Sequence, residues 1–135
     1  MVRILFICVG NMGRSQIAEA FAKHYGDNDV EVVSAGTRPG TYLTPNVVKA
    51  LKEEGIDISE NKPKKLEPWM LEWADIIVTL CPEAAAECPP IPTKGKKILH
   101  WNIRDPFHLP IEEVREIRDE IKRRVKRLVK ETSRR

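Results

Sequence analysis

Residues 4–15 read Ile-Leu-Phe-Ile-Cys-Val-Gly-Asn-Met-Gly-Arg-Ser. An apolar run stops at Cys8, and glycines at 10 and 13 lead to Arg14 and Ser15. Val2 to Cys8, interrupted only by Arg3, has the continuous hydrophobicity of a strand covered on both faces, as in a parallel sheet. A helix is expected next, with Ile17, Ala20, Phe21 and His24 along one face and Gly26 past its end. A strand, a glycine-bearing loop and a helix, in that order at the start of the chain, are the first unit of an α/β fold.

The rest of the chain repeats the alternation. Val30 to Val33 is a short β-branched strand, and Ala35 to Tyr42 reads as a loop. Thr44 and Pro45 open a helix through Val47, Val48 and Leu51 that stops at Gly55. Leu66 to Trp73 suggests a short helix begun near Pro68, with Trp69 and Trp73 on one packed face. Asp75 to Leu80 is a third strand, Ala84 to Ala86 a helical turn and Lys97 to His100 a fourth strand. Ile111, Val114, Ile117, Ile121, Val125 and Leu128 mark a long amphipathic helix over Ile111 to Lys130. The expected architecture is α/β: a single three-layer domain over residues 1–135, its four-stranded parallel sheet flanked by helices. Ligands of such folds bind beyond the carboxyl ends of the strands, where Cys8, Cys81 and Asp105 all fall.

Composition narrows the function. With 41% hydrophobic and 32% charged residues, the 135-residue chain is globular rather than disordered. A net charge of +3 implies no nucleic-acid partner. Acids early and bases late in the last helix complement its dipole. The N-terminal apolar run is too short for a secretory signal, and nothing approaches a membrane span. Three cysteines, an odd number, suit free or transient thiols in a reducing compartment, so a cytoplasmic location is expected.

The loop itself carries chemistry. Five residues separate Cys8 from Arg14, enough for Val9, Gly10, Asn11, Met12 and Gly13 to curl with their N–H groups inward at a helix N-terminus. That is a nest for a tetrahedral oxyanion. Arg14 can grip two oxygens of such an anion as a planar fork. The same field suits a nucleophilic Cys8 thiolate, and Ser15 can donate to that sulfur or to a leaving sulfur. A buried structural cysteine before an ordinary turn is the alternative. Nucleotide-binding loops are excluded, because neither Gly-Lys-Ser/Thr nor Gly-x-Gly-x-x-Gly occurs here.

"CVGNMGRSQIAEAF" at 8–21 and "RDPF" at 104–107 resemble the low-molecular-weight protein tyrosine phosphatase superfamily, whose signature is Cys-x5-Arg-Ser/Thr followed late by Asp-Pro. The likeness covers nearly the whole chain. It implies that Cys8 is the nucleophile, Arg14 the oxyanion ligand and Asp105 the general acid. A carboxylic acid on a proline-restrained loop can protonate a leaving oxygen, although Asp-Pro is also a common turn. His100 and His108 are rivals for that role.

Within the superfamily, "VTLCPEAAAECPPIP" at 78–92 and His100-Trp101 resemble the thioredoxin-coupled arsenate reductases. That resemblance implies a relay. Cys8 attacks arsenate, Cys81 attacks Cys8 as arsenite leaves, and Cys88 attacks Cys81. Thioredoxin then reduces the resulting disulfide. It implies no cofactor. The alternatives are two structural thiols, a permanent disulfide, or a zinc site, which a spacing of seven residues does not suit. No metal is expected. A phosphatase acting on phosphotyrosine or aryl phosphates through phosphorylated Cys8 is the runner-up. Family reductases can also carry a potassium site of Asn, Glu, Ser and Asp. Asn11, Glu19 and Ser34 match three of these, but Lys64 stands at the fourth, so no potassium response is expected.

Overall fold

β1 (Val2–Cys8) takes an inner position in a four-stranded sheet ordered β2-β1-β3-β4, every neighbouring pair parallel. The computed structural model describes residues 1–92 and 94–133. Arg134 and Arg135, at the end of the expected domain, lie outside the described residues. The chain leaves β1 through α1 (Arg14–Gly26) and a 3-10 turn (Asp27–Asp29) to β2 (Val30–Gly36). It then passes back across β1 by α2 (Pro45–Lys52) and α3 (Pro68–Trp73) to β3 (Ile76–Thr79). α4 (Pro82–Glu87) leads to β4 (Lys97–His100), and α5 (Ile111–Ser133) closes the chain. The reversal of direction puts the carboxyl end of β1, and so Cys8, at the topological switch point of the sheet.

Alternation along β1 builds two cores. Ile4, Phe6 and Cys8 pack with Ile17, Phe21, Leu51, Ile121 and Val125 from α1, α2 and α5. Leu5 and Ile7 pack with Met70, Leu71, Cys81 and Ala84 from α3 and α4 on the opposite face. Residues 15–22 of α1 are buried on every side, whereas His24 is exposed, with its ring edge-on to Tyr25.

Several boundaries differ from the sequence expectation. β2 continues through Ser34, Ala35 and Gly36, because the ladder with β1 runs on to Cys8↔Gly36. These small residues have little strand preference of their own, so pairing carries them. Gly36 is required there, since a Cβ would lie 2.5 Å from the Val9 carbonyl oxygen. α4 extends over six residues, with Cys81 as its N-cap and Pro82 in its first turn. Gly26 ends α1 from within, and α5 runs on to Ser133. Trp69 is 55% exposed and meets Trp73 edge-on, so only part of the expected tryptophan face is packed.

Candidate active site

The loop between β1 and α1 turns its carbonyls outward. Those of Cys8, Val9, Gly10 and Met12 accept hydrogen bonds from the N–H groups of Thr37, Arg38, Gly40 and Thr44, and that of Gly13 accepts from Ile17. Four of the loop's oxygens are thus committed to the 37–44 segment, and the Asn11 N–H donates to Cys8 Sγ. A loop held this way at a helix N-terminus can take an anion on its N–H groups. The hollow is a cavity of about 180 Å³ lined by Cys8, Val9, Gly10, Met12, Gly13, Arg14, Thr44, Asp105 and Phe107. A wider hollow of about 420 Å³ between β4 and α5 is lined by Trp101, two leucines, four cationic side chains and Glu131, with no cysteine or serine.

Arg14 is tethered by NH1 donating to the Ile103 carbonyl at 2.9 Å, and its NH2 lies 3.8 Å from the Asp105 carboxylate. Asp105 Oδ1 accepts from the Phe107 N–H, which holds the carboxylate at the cavity mouth, where it is 62% exposed. Loop and turn touch directly: a Cβ on Gly13 would sit 2.8 Å from Pro106 Cγ.

Behind the cavity a largely buried network holds Cys8. Cys8 Sγ lies 2.8 Å from Ser15 Oγ and accepts from the Asn11 N–H at 3.2 Å. Asn11, at φ 53°, is the hub. Its Oδ1 accepts from Gln16 Nε2 and from the Lys64 N–H, while its Nδ2 donates to Ser15 and Ser34. Ser34 in turn donates to Glu19 at 2.6 Å. Gln16, Thr44 and Phe107 had no site role in the sequence reading. Thr44 was read there only as a helix cap.

Cys81 and Cys88 do not line this cavity. Cys81 is buried in the α3–α4 core just past Leu80, whose N–H bonds to the Ile7 carbonyl at 2.9 Å. Cys88 caps the other end of α4 and is half-buried, and all three cysteines are free. Burial pushes the Cys81 thiol up, opposed by the Ala84 backbone N–H and the charge of Arg14. Burial pushes Cys88 up as well. His100 hydrogen-bonds Thr79 across the β3–β4 pair, and the His108 ring lies tilted against Phe107. Neither lines the Cys8 cavity.

The residues around Glu19 do not fit a monovalent cation. Its carboxylate already meets the Lys23 ammonium at 2.9 Å and that of Lys64 at 3.6 Å. Lys64 therefore stands on the acid of the expected cation site, and Lys23 stands closer. Among the described residues no three His, Cys, Asp or Glu side chains gather as a metal site, and no helix is long and apolar enough to cross a membrane.

A cysteine and an arginine on one loop at the switch point of a parallel sheet, faced by a carboxylate, are the arrangement of a phosphatase-fold protein. The chain belongs to the low molecular weight phosphotyrosine protein phosphatase family, whose profile matches residues 3–135. It is 43% identical over 124 residues to an arsenate reductase of Brevibacillus brevis, covering 92% of this chain and 91% of that one. Among solved structures, the thioredoxin-dependent arsenate reductase of Corynebacterium glutamicum superposes with a TM-score of 0.81 at 36% identity. That alignment covers 98% of this chain and 62% of the Corynebacterium chain, so this chain spans about three-fifths of its length. A low molecular weight protein tyrosine phosphatase of T. tengcongensis superposes with a TM-score of 0.85 at 26% identity, covering 97% and 99% of the two chains.

Proposed function

We propose that the chain is an arsenate reductase that runs a three-thiol relay and is regenerated by thioredoxin in a reducing cytoplasm. The observation that carries the reading is the pair of free thiols at the two ends of α4, one of them just past β3 and within electrostatic reach of Cys8. A phosphatase needs only the loop and the Asp105 acid, and nothing in phosphate-ester hydrolysis uses these thiols. The names of the similar proteins support the same reading.

Arsenate, a tetrahedral oxyanion, takes the nest made by residues 9–13, and Arg14 binds two of its oxygens. The Cys8 thiolate attacks arsenic, and Asp105 protonates the departing hydroxyl, which leaves as water. The Cys81 thiolate then attacks Cys8 Sγ. The sulfur–arsenic electron pair stays with arsenic, As(V) becomes As(III), and a Cys8–Cys81 disulfide forms. Cys88 next attacks Cys81, expelling the Cys8 thiolate and leaving a Cys81–Cys88 disulfide. A thioredoxin dithiol reduces that bond and carries the two electrons away. No cofactor is needed.

The cavity, complete without Cys81 and Cys88, equally supports the second reading, hydrolysis of aryl phosphates through phosphorylated Cys8. Disulfide mapping separates the two. Reduced protein, freed of reductant without air and treated with arsenate, is expected to yield a Cys81–Cys88 disulfide that phosphate does not induce. Three free thiols together with hydrolysis of p-nitrophenyl phosphate would establish the phosphatase instead. Cys88→Ser is expected to abolish arsenate turnover and spare ester hydrolysis.

A further inference from the structure

The geometry points to a clasp between Thr37, Arg38 and Glu87 that holds α4 wound and sets the rate at which Cys88 reaches Cys81; its place in the reaction rests on the reading above. Cys81 and Cys88 stand at opposite ends of α4, seven positions apart. At a rise of ~1.5 Å per residue their Cα atoms are about 10 Å apart. A disulfide requires roughly 4.4–6.8 Å. The second exchange therefore cannot occur while α4 is intact, and the helix must unwind from one end.

The Cys81 end is anchored, buried in the core beside Leu80. The Cys88 end is held by its own N–H on the Ala84 carbonyl and, from outside the helix, by the residue before it. Glu87 accepts from Arg38 Nε at 3.0 Å, from Arg38 NH2 at 2.9 Å and from Thr37 Oγ1 at 2.8 Å. This is a two-pronged guanidinium–carboxylate pair with a hydroxyl added to it. Thr37 and Arg38 are themselves fixed to the anion loop, their N–H groups bonding the carbonyls of Cys8 and Val9. The clasp thus fastens the mobile end of the relay to the backbone of the nucleophile. While it is closed, Cys88 stays half-buried against the α3–α4 core. When it opens, the last turn of α4 can unravel and swing Cys88 toward Cys81. A change in the loop at Cys8 and Val9 reaches Glu87 through two hydrogen-bonded neighbours. Thr37, Arg38 and Glu87 are positioning residues and touch no reacting atom.

The test uses the reduced full chain and reads the clasp without arsenate. Cys88 alkylation by iodoacetamide is followed by mass spectrometry in wild type, Glu87→Gln and Arg38→Ala. In a Cys8→Ser background, the thiol oxidant diamide drives Cys81–Cys88 disulfide formation, taking up two electrons and two protons. Both rates are expected to rise about fivefold when the clasp is cut, the scale of an exposed charge-pair network. Joint exchange of Arg38→Glu and Glu87→Arg is expected to restore the slow rates, which a merely destabilised fold would not do. Hydrolysis of p-nitrophenyl phosphate by Glu87→Gln is expected to stay at the wild-type rate. Unchanged alkylation and oxidation rates in both single variants would overturn the clasp whatever the enzyme's substrate is. Faster rates, in a protein that arsenate never oxidises, would uphold the clasp and remove the arsenate reading instead.

Discussion

Asn11 Nδ2 donates to Ser15 Oγ at 2.6 Å, and the same Ser15 oxygen lies 2.8 Å from Cys8 Sγ. The Lys64 N–H can only donate, so the Asn11 atom it meets at 2.9 Å is the carbonyl oxygen and the amide nitrogen faces the serines. Each serine oxygen therefore accepts from Asn11; Ser34 gives its proton to Glu19, and the Ser15 proton is available to Cys8. Ser15→Ala removes a charge-assisted donor to the sulfur and is expected to lower kcat about ten- to hundredfold. Asn11→Asp turns the two donors into acceptors, so the Ser15 proton is drawn away from Cys8. Its loss is expected to match that of Ser15→Ala, and the double variant to be little worse than either single one. Steady-state hydrolysis of p-nitrophenyl phosphate measures all three. Fully additive losses would show that Asn11 does not act through Ser15.

Gly13 transmits position from the anion loop to the acid. A methyl group there would meet Pro106 Cγ at 2.8 Å, and Pro106 follows Asp105. Gly13→Ala is expected to push the Asp105 turn outward and weaken proton delivery to the leaving group. The expected signature is a fall in kcat, approaching the ~10²-fold that acid catalysis supplies, with KM for an aryl phosphate changed far less. The loss should shrink for esters whose leaving group needs no proton. An equal loss for good and poor leaving groups would place the damage in the loop rather than in the acid.

The strand, loop and helix around Cys8 were legible because a buried strand and a glycine-bearing turn leave local marks. The far end of β2 was not. Ser34, Ala35 and Gly36 become strand through a ladder with β1, a pairing set by residues 28 positions away. The placement of Cys81 behind the sheet was equally hidden, since it lies beyond the last paired residue of β3, where strand alternation no longer tells the face. Glu87 reads as one acid in a short alanine-rich helix, and its partner Arg38 lies 49 residues earlier. The lysines at Glu19 were half visible: Lys64 stood where the family pattern has an acid, while Lys23, four residues after Glu19, carried no such mark.

The raised pKa values of Cys81 and Cys88 predict that the proposed relay is favoured by alkali. A thiol pushed up by burial is mostly protonated at neutral pH, and its thiolate fraction grows about tenfold per pH unit until the raised pKa is reached. The rate of arsenate-driven Cys81–Cys88 disulfide formation, measured by acid quench in a single turnover, is expected to climb from about pH 7 to about pH 9. Ester hydrolysis, which uses neither thiol, should lack that climb. Stability carries the opposite sign. A thiol whose pKa is higher folded than unfolded contributes fully below the unfolded value of 9.0, and the contribution is lost as pH rises through the folded one. Tm should therefore fall above about pH 9, and less steeply in Cys88→Ser.

Glu19 is neutralised from within the chain, and this predicts indifference to potassium. Its carboxylate is 8% exposed, accepts from Ser34, and holds the ammonium groups of Lys23 and Lys64. A cation entering beside Ser34 would have to displace Lys64 and would meet the positive charge of Lys23. Replacing sodium by potassium at constant ionic strength is expected to leave both arsenate turnover and Tm unchanged. Lys64→Ala removes one of the two internal cations beside a carboxylate that is nearly buried. It is expected to lower Tm, because a buried charge left under-compensated is costly. A clear rise in turnover of the wild-type protein in potassium would show that the ammonium groups yield to the ion and that the internal neutralisation is not permanent.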